Sequence, residues 1–299
     1  MTTATITPAA GLIAGLRPAA RRGSFPTIGW VGLGLLAAFI VLAFAAPALA
    51  PYRAGQLSGR PLEAPSVHHA LGTNSVGVDL STQVLSGVRA SLIVGVVAGG
   101  GTALLGAAIG VLAGWRGGTA DVVAMRIADV LLVIPRLPLL IVVVAYAGPG
   151  LRTVALTIAV TFWPESARVL RAQVRSLRPR AHLKAATGFG AGTGHVLRRH
   201  VLPETSLILV AALVAAAGRA VMLQVGLAFL GLGDANRAGW GSVIRDALKF
   251  QGLFFTRAWA WWLLPPMFAV GLLLLSLTLV GLAVEQRVNP RLARHGAQR

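Results

Sequence analysis

The chain has 299 residues, of which 56% are hydrophobic and only 12% charged, with a mean hydropathy of +0.74 and a net charge of +18. Soluble domains carry about 25% charged residues, so this composition excludes an ordinary water-soluble domain and predicts a chain that lies mainly in lipid. The absence of cysteine excludes disulfides, thiolate metal sites and a cysteine nucleophile. Neither lysine, Lys184 or Lys249, precedes Ser or Thr, so the sequence has no P-loop for ATP.

Six apolar segments approach the roughly 20 residues that a transmembrane helix needs. The sequence therefore predicts an all-α multi-pass membrane protein with six spans between a short N-terminal segment, 1–27, and a tail, 285–299. The predicted spans are residues 28–50, 90–114, 125–147, 151–170, 205–230 and 261–284. The third and fourth are the weakest, because prolines and charged residues, among them Pro135, Pro164 and Glu165, interrupt them.

The first segment has a second interpretation. Ala48-Leu49-Ala50 fits the small-x-small cleavage site of a secretory signal peptide. The apolar run is long for a signal peptide, however, and Pro51 would directly follow the cut. We therefore expect an uncleaved helix.

Three glycines recur at every fourth position of the second span: Gly106, Gly110 and Gly114. Residues four apart share one helix face, and small residues at that spacing let two membrane helices approach closely. Glycine is also common in membrane helices generally, but we expect this face to be a packing seam.

Asp129, Arg136, Arg219 and Gln224 are polar residues that lie within predicted spans. Ionisable side chains are costly in hydrocarbon and are candidates for function by default. Arg126, Asp129 and Arg136 have the spacing of one helix face, so one interpretation is a satisfied ion pair that locks the helix in the bundle, and the other is a direct role lining the substrate path. Arg219 has no partner in its own helix and is expected to face a water-filled cavity or another subunit.

The segment 171–203 is a polar, basic island between apolar runs. With its entry it carries eight basic residues: Arg168, Arg171, Arg175, Arg178, Arg180, Lys184, Arg198 and Arg199. With both termini in the cytoplasm, six spans place 17 Lys and Arg residues on the cytoplasmic side and 8 outside. Because cytoplasmic loops are enriched in Lys and Arg, this excess places the island in the cytoplasm and makes a nucleic-acid partner unnecessary.

The sequence shows no catalytic or metal-binding set. His68 and His69 are adjacent in the loop 51–89, but two ligands rarely suffice for a metal, and we expect loop histidines without a special role. No carboxylate pair suits acid and base catalysis, which disfavours a membrane-embedded enzyme. An ATP-independent secondary transporter or channel is the other alternative, and the inverted repeat with broken helices that it predicts is not evident.

The basic island resembles the cytoplasmic loop of binding-protein-dependent ABC importer permeases. The pattern of that family is Glu-Ala-Ala, three residues, Gly, nine residues, a variable position and x-Leu-Pro. The matching positions are Lys184, Ala185, Ala186, Gly190, His200, Val201, Leu202 and Pro203. The spacing fits throughout, but Lys184 replaces the glutamate of the family.

Further motifs are similar to one branch of that family, the second (C-type) permease subunit of dipeptide, oligopeptide and nickel importers. They comprise Leu71-Gly72-Thr73, Gly77, Asp79, Gly87, Arg89, Ser91, Met125-Arg126, Asp129, Pro135, Trp163-Pro164, Ala167-Arg168, Arg171, Phe229-Leu230-Gly231-Leu232-Gly233, Trp240-Gly241 and Asn289-Pro290-Arg291-Leu292. Val78 and Gln83 stand where the branch usually has arginines.

This resemblance implies the type I importer permease fold and a bacterial plasma membrane location. It also implies a short coupling helix around residues 181–195 that lies in a groove of a separate ATPase, with Gly190 ending that helix and Pro203 closing the segment. The implied partners are a homologous permease as heterodimer mate, two ABC ATPases and an extracytoplasmic substrate-binding protein. No cofactor is expected on this chain, since ATP and Mg²⁺ would bind the ATPases. Peptide is the first expected substrate, ahead of nickel and other small solutes.

Overall fold

A computed structural model describes residues 26–53, 55–234 and 239–288 of the chain. These residues form helices joined by short connections and one longer loop. In chain order the helices are α1 (Thr27–Leu49), α2 (Leu80–Arg116), α3 (Gly118–Val133), α4 (Arg136–Ala147), α5 (Leu151–Thr161), α6 (Trp163–Leu177), α7 (Ala181–Gly188), α8 (Thr193–Phe229), α9 (Trp240–Lys249) and α10 (Ala258–Val288). The predicted all-α class is confirmed, while most of both predicted terminal segments and the motif at 289–292 lie outside the described residues.

Helices α1, α2, α8 and α10 are long and apolar enough to cross a membrane, which agrees with four of the six predicted spans. The predicted span 125–147 corresponds to α3 and α4, which are bent by 89° where they meet at Ile134 and Pro135. The bend has a local cause, because proline lacks an N–H group and forces the preceding residue out of the helical region. Ile134 accordingly has an extended backbone, with ψ of 126°.

The predicted span 151–170 corresponds to α5 and the first half of α6. Phe162 separates the two helices, and Pro164 lies in the first turn of α6, where a missing N–H group costs nothing. Arg152, Glu165 and Arg168 lower the hydropathy of this stretch. By length and hydropathy the bent α3–α4 pair counts as one further candidate span, whereas α5 and α6 do not qualify, so the described residues contain four or five of the six predicted spans.

The glycine seam predicted on α2 is confirmed. A methyl group on Gly106 would lie 2.5 Å from Cβ of Ser166, and one on Gly110 would lie 2.3 Å from the carbonyl oxygen of Ala167. One on Gly114 would lie 2.8 Å from the carbonyl oxygen of Arg171. The backbones of α2 and α6 therefore touch at three positions on successive turns, at a separation that only glycine permits.

Helix α2 also contacts α8 directly. Its middle contains a single π-helical turn, Gly95–Gly99, and a methyl group on Gly99 would lie 2.6 Å from Cα of Ala217. Side chains of α1, α2, α8, α9 and α10 form a large apolar core. Its buried members include Phe39, Val88, Val214, Val221, Trp240, Leu273, Leu277 and Val280.

A cap, formed by residues 55–79, helix α9 and residues 250–262, covers the first turns of α2. Trp240 is fully buried in it, with its ring against Gly87, where a methyl group would lie 2.3 Å from the indole. The indole Nε1 donates a hydrogen bond of 2.9 Å to the carbonyl oxygen of Val84. Two motif positions, Gly87 and Trp240, thus form one contact between α9 and α2.

Asp79 explains why α2 begins at Leu80 rather than at the predicted residue 90. Its carboxylate caps the helix, accepting hydrogen bonds of 2.7 Å from the Thr82 amide and 3.1 Å from Nδ1 of His69. His69 is buried and also stacks on Tyr52, so the expectation of a loop histidine without a role was wrong for His69. Burial alone would raise the pKa of Asp79, but hydrogen bonds from Ser81, Thr82 and His69 outweigh it and lower that pKa below its ordinary value.

Candidate functional site

The predicted coupling segment lies at the end of α2 opposite to the cap. Helix α2 has 37 residues and is therefore about 55 Å long, well beyond the roughly 30 Å of a bilayer core. The cap surrounds its first turns, and the coupling segment packs against Val111 and Trp115 near its last turn. The two assemblies therefore project from opposite faces of any bilayer that α2 crosses.

Only residues 178–192 of the predicted loop 171–203 lie between long helices. Helix α6 continues to Leu177, a turn closed by the Arg180 amide on the Leu177 carbonyl leads into α7, and α8 begins at Thr193. Both connections of α7 are therefore short, residues 178–180 toward α6 and residues 189–192 toward α8.

Gly190 terminates the turn that follows α7, as predicted. It has φ of +84°, the left-handed conformation that glycine adopts without strain. Its amide donates to the Thr187 carbonyl, and the Ala191 amide donates to the Ala186 carbonyl, the two bonds of a Schellman motif. The chain thereby turns back sharply toward α8.

One face of α7 is anchored and the other is free. Leu183 is 1% exposed and packs with Val174, Leu177 and Val196 of the adjoining helices. Lys184 and Ala185 are exposed, Ala186 is half-buried, and Phe189 is 92% exposed at the end of the helix. The helix therefore presents a small, basic surface with one apolar side chain.

Glu204 fastens α7 to α8. Its two carboxylate oxygens accept hydrogen bonds of 2.6 Å from Arg180 and 2.8 Å from Nε2 of His182. The ring of His200 lies 6.2 Å from that of His182. Glu204 was absent from the predicted site, although it directly follows the Leu-Pro that ends the motif.

Pro203 does not interrupt the helix, so the expectation that it closes the segment before the next span was wrong. Helix α8 runs on through Leu202 and Pro203, which are both exposed, after a π-helical turn at Leu197–Val201. The wider turn accommodates the missing N–H group and the bulk of the proline ring against the preceding turn.

Helix α6 carries a row of charged side chains that pair with three neighbouring helices. Arg171 and Arg175 contact Asp121 at the start of α3, with hydrogen bonds of 2.7 Å and 2.6 Å to Oδ2. One helical turn away, Arg168 pairs with Asp129. These contacts hold α3 against the helix that leads into α7.

Glu165, the next charged residue along α6, joins two of the predicted polar residues. Arg136 of α4 forms a hydrogen bond to Oε1 of Glu165 and also lies over the ring of Phe162, 5.0 Å from its centroid. Nη2 of Arg219 of α8 lies 3.3 Å from Oε2 of the same carboxylate. We refer to Arg136, Glu165 and Arg219 as the charge triad.

The four predicted polar residues therefore separate into three places. Arg136 and Arg219 meet in the charge triad, whereas Asp129 pairs elsewhere on α6, and the bend between α3 and α4 removes the helix face that Asp129 and Arg136 were expected to share. Gln224 is buried, and Ser91 of α2 donates to its side-chain oxygen at 3.4 Å, so it joins α8 to α2 inside the core. Glu165 was missed as a site residue, although a lone carboxylate in an apolar run was the available signal.

A groove runs between α6, α8 and α10 and ends at the charge triad. It has a volume of about 350 Å³, within the roughly 300–1,000 Å³ typical of small-molecule pockets. Its walls are mostly apolar, with Ile208, Ala212 and Ala215 on α8. Its charged lining residues are Glu165, Arg219 and Glu285.

Among the described residues, no cluster of three or more His, Asp or Glu side chains has a geometry that could hold a metal ion.

Comparison with known proteins identifies similar chains. Residues 106–294 match the family described as "Binding-protein-dependent transport system inner membrane component". The chain is 32% identical over 265 residues to the dipeptide transport system permease protein DppC of Alkalihalophilus pseudofirmus, covering 88% of this chain and 85% of the relative. It is equally similar to the protein of the same name from Bacillus subtilis, with 32% identity over 88% of this chain and 82% of the relative.

Proposed function

The chain belongs to the family of binding-protein-dependent transport system inner membrane components, and from this premise we propose that it is the C-type permease subunit of an ATP-driven ABC importer for di- or oligopeptides. It is a multi-pass membrane protein without catalysis of its own in this scheme. The peptide substrate is supported by the names of its relatives, two dipeptide permeases, and takes precedence over nickel or another small solute.

The observation that carries this proposal is the geometry of α7. A coupling helix must be rigidly attached to the transmembrane helices yet leave a surface free for the ATPase. Leu183 and the Glu204 contacts supply the attachment, while Lys184, Ala185 and Phe189 supply the free surface. Small side chains at Ala185 and Ala186 let a partner surface approach the helix closely.

We place α7 and both termini in the cytoplasm and the cap outside the bacterial plasma membrane. The excess of basic residues on the α7 side supports this orientation. The cap then faces the substrate-binding protein, and α7 faces the ATPase that hydrolyses ATP with Mg²⁺.

The partners in this proposal are one homologous permease, two ABC ATPases and one extracytoplasmic binding protein. Lys184 predicts the charge of the ATPase surface that it contacts. Because the family has a glutamate at this position, an ATPase matched to this chain carries acidic rather than basic side chains opposite Lys184.

Coupling follows from the connections around α7. Closure of the two ATPases moves α7, and the short turns pass this movement to α6 and α8. Helix α6 is bound to α2 along the glycine seam and to α3 by ion pairs, so these helices move as one body. The permease thereby alternates between two conformations whose populations ATP and substrate both shift.

The test uses the complete complex with an affinity tag on this chain. Lys184→Glu is expected to reduce the amount of ATPase that co-purifies and the peptide-stimulated ATP hydrolysis, because it reverses the charge at the contact. Lys249→Glu makes the same change at the only other lysine of the chain, which is exposed at the end of α9 in the cap, and is expected to retain the ATPase fully. Equal retention in both variants would contradict the contact. Peptide uptake without ATP would instead favour a secondary transporter or channel.

A further inference from the structure

The charge triad faces an open space although it lies within the membrane-spanning part of the chain. The side chains of Arg136, Glu165 and Arg219 are 35%, 39% and 40% exposed. Charged groups this accessible are too costly to face hydrocarbon, so they line water or a protein partner. The groove that ends at Glu165 and Arg219 supplies the water-accessible space.

The groove leads from the α7 end of the molecule into the membrane. Its lining residues Glu285 and Val288 lie in the last turns of α10, and Ile208 lies one turn beyond Glu204 on α8. Arg219 lies about 16 Å farther along α8 than Ile208. In the proposed orientation, the groove therefore connects the cytoplasmic face with the middle of the membrane.

The charge triad carries a net positive charge, because two guanidinium groups share one carboxylate. The two arginines are not equivalent. Arg136 is held twice, by its hydrogen bond to Glu165 and by its position over Phe162, and it does not line the groove. Arg219 lines the groove and contacts Glu165 only at 3.3 Å, so it is the member that a second anion can reach.

We propose that Arg219 binds the carboxylate of the transported peptide in this groove, in exchange for Glu165. A guanidinium group binds a carboxylate through two parallel hydrogen bonds, which a peptide C-terminus or an acidic side chain provides. While the peptide carboxylate is bound to Arg219, Glu165 remains paired with Arg136. When the peptide leaves, Glu165 pairs with Arg219 again. The site thus binds a carboxylate without trapping it.

This inference rests on the proposed function, and its test uses the complete complex in proteoliposomes. ATP is enclosed in the lumen and the binding protein is added outside, so that only complexes with α7 facing inward work. Uptake of labelled dialanine is measured while unlabelled dialanine or its C-terminal amide is enclosed at increasing concentration. Peptide inside reaches the groove from the α7 side and competes with import, without passing through the binding protein.

In the wild-type complex, the free acid is expected to inhibit at about tenfold lower concentration than the amide, because only the acid forms charged hydrogen bonds to Arg219. Arg219→Gln is expected to abolish this difference, and Arg219→Lys to retain part of it. Glu165→Gln is expected to act in the opposite direction, lowering the inhibitory concentration of the acid by severalfold, because the Glu165 carboxylate then no longer competes for Arg219.

Arg168→Gln is the matched control, since Arg168 lies on the same helix as Glu165 and pairs with Asp129 of α3 but does not line the groove. It is expected to leave the ratio between acid and amide unchanged. The inference is overturned if wild-type acid and amide inhibit equally, or if Arg219→Gln and Glu165→Gln shift inhibition in the same direction. Failure of the wild-type complex to import dialanine or any longer peptide would overturn the proposed function and this inference with it.

Discussion

Replacing Gly110 by alanine tests the seam that joins α6 to α2. The added methyl group would lie 2.3 Å from the carbonyl oxygen of Ala167, whereas ordinary contacts begin at 3.4 Å. Helix α6 must therefore retreat by about 1 Å, and overpacking of this kind costs about 1–3 kcal/mol. Since α6 leads directly into α7, the same displacement misplaces the coupling helix.

Gly100→Ala is the matched control. Gly100 lies on the same helix, and an added methyl group there would have no atom within 4 Å, so only the gain in helix propensity remains. That gain is common to both substitutions, and the difference between them isolates the overpacking at the seam.

The assays are the apparent Tm of the purified complex and the number of peptides transported per ATP hydrolysed. Gly110→Ala is expected to lower the apparent Tm by several degrees and to reduce transport per ATP, whereas Gly100→Ala retains both. If the two variants behave alike, the backbones of α2 and α6 do not touch at Gly110, and the coupling route through the seam is refuted.

Three further predictions concern Trp240 in the cap, Asp79 at the start of α2, and the contacts of Glu204 with α7. Trp240→Ala is expected to destabilise the complex by about 3–5 kcal/mol in thermal unfolding, because it empties a fully buried site, and a wild-type Tm would contradict this. Because the pKa of Asp79 is lowered in the folded protein, the stability it contributes is complete above about pH 4 and is lost as the pH falls further. Asp79→Asn should therefore reduce the difference in Tm between pH 6 and pH 3. An unchanged difference would show that the Asp79 carboxylate does not stabilise the start of α2. Glu204→Gln is expected to preserve ATP hydrolysis but lower transport severalfold, because α7 loses its charged contacts to α8; unchanged transport would show that these contacts are not needed for coupling.

Hydropathy predicted where the chain crosses the membrane, because a span of about 20 apolar residues leaves a strong signal in sequence. Residues 28–50 agree with α1, and the glycine spacing on α2 predicted a helix contact that the structure contains. Hydropathy did not predict the parts of the helices that extend beyond the apolar spans. A capping residue such as Asp79 can start a helix outside the apolar segment. Hydropathy alone therefore does not reveal that α2 extends back to Leu80.

The polar contacts could be predicted only in part. Spacing along one helix suggested Asp129 and Arg136 as partners, but the proline bend at Ile134 separates them. Their actual partners, Arg168 and Glu165, lie on α6, and pairing across helices depends on tertiary packing that no local pattern encodes. His69 illustrates the same point, since its burial against Asp79 depends on how the loop folds over α2.

The most direct test of the account is the side of the membrane on which α7 lies. The chain has no cysteine, so single cysteines can be introduced at Phe189, 92% exposed on the coupling segment, and at Val67, fully exposed in the cap. A membrane-impermeant maleimide should label Phe189→Cys only in inside-out vesicles and Val67→Cys only in right-side-out vesicles. Labelling of Phe189→Cys from the outside would remove α7 from the reach of any cytoplasmic ATPase and contradict the proposed coupling.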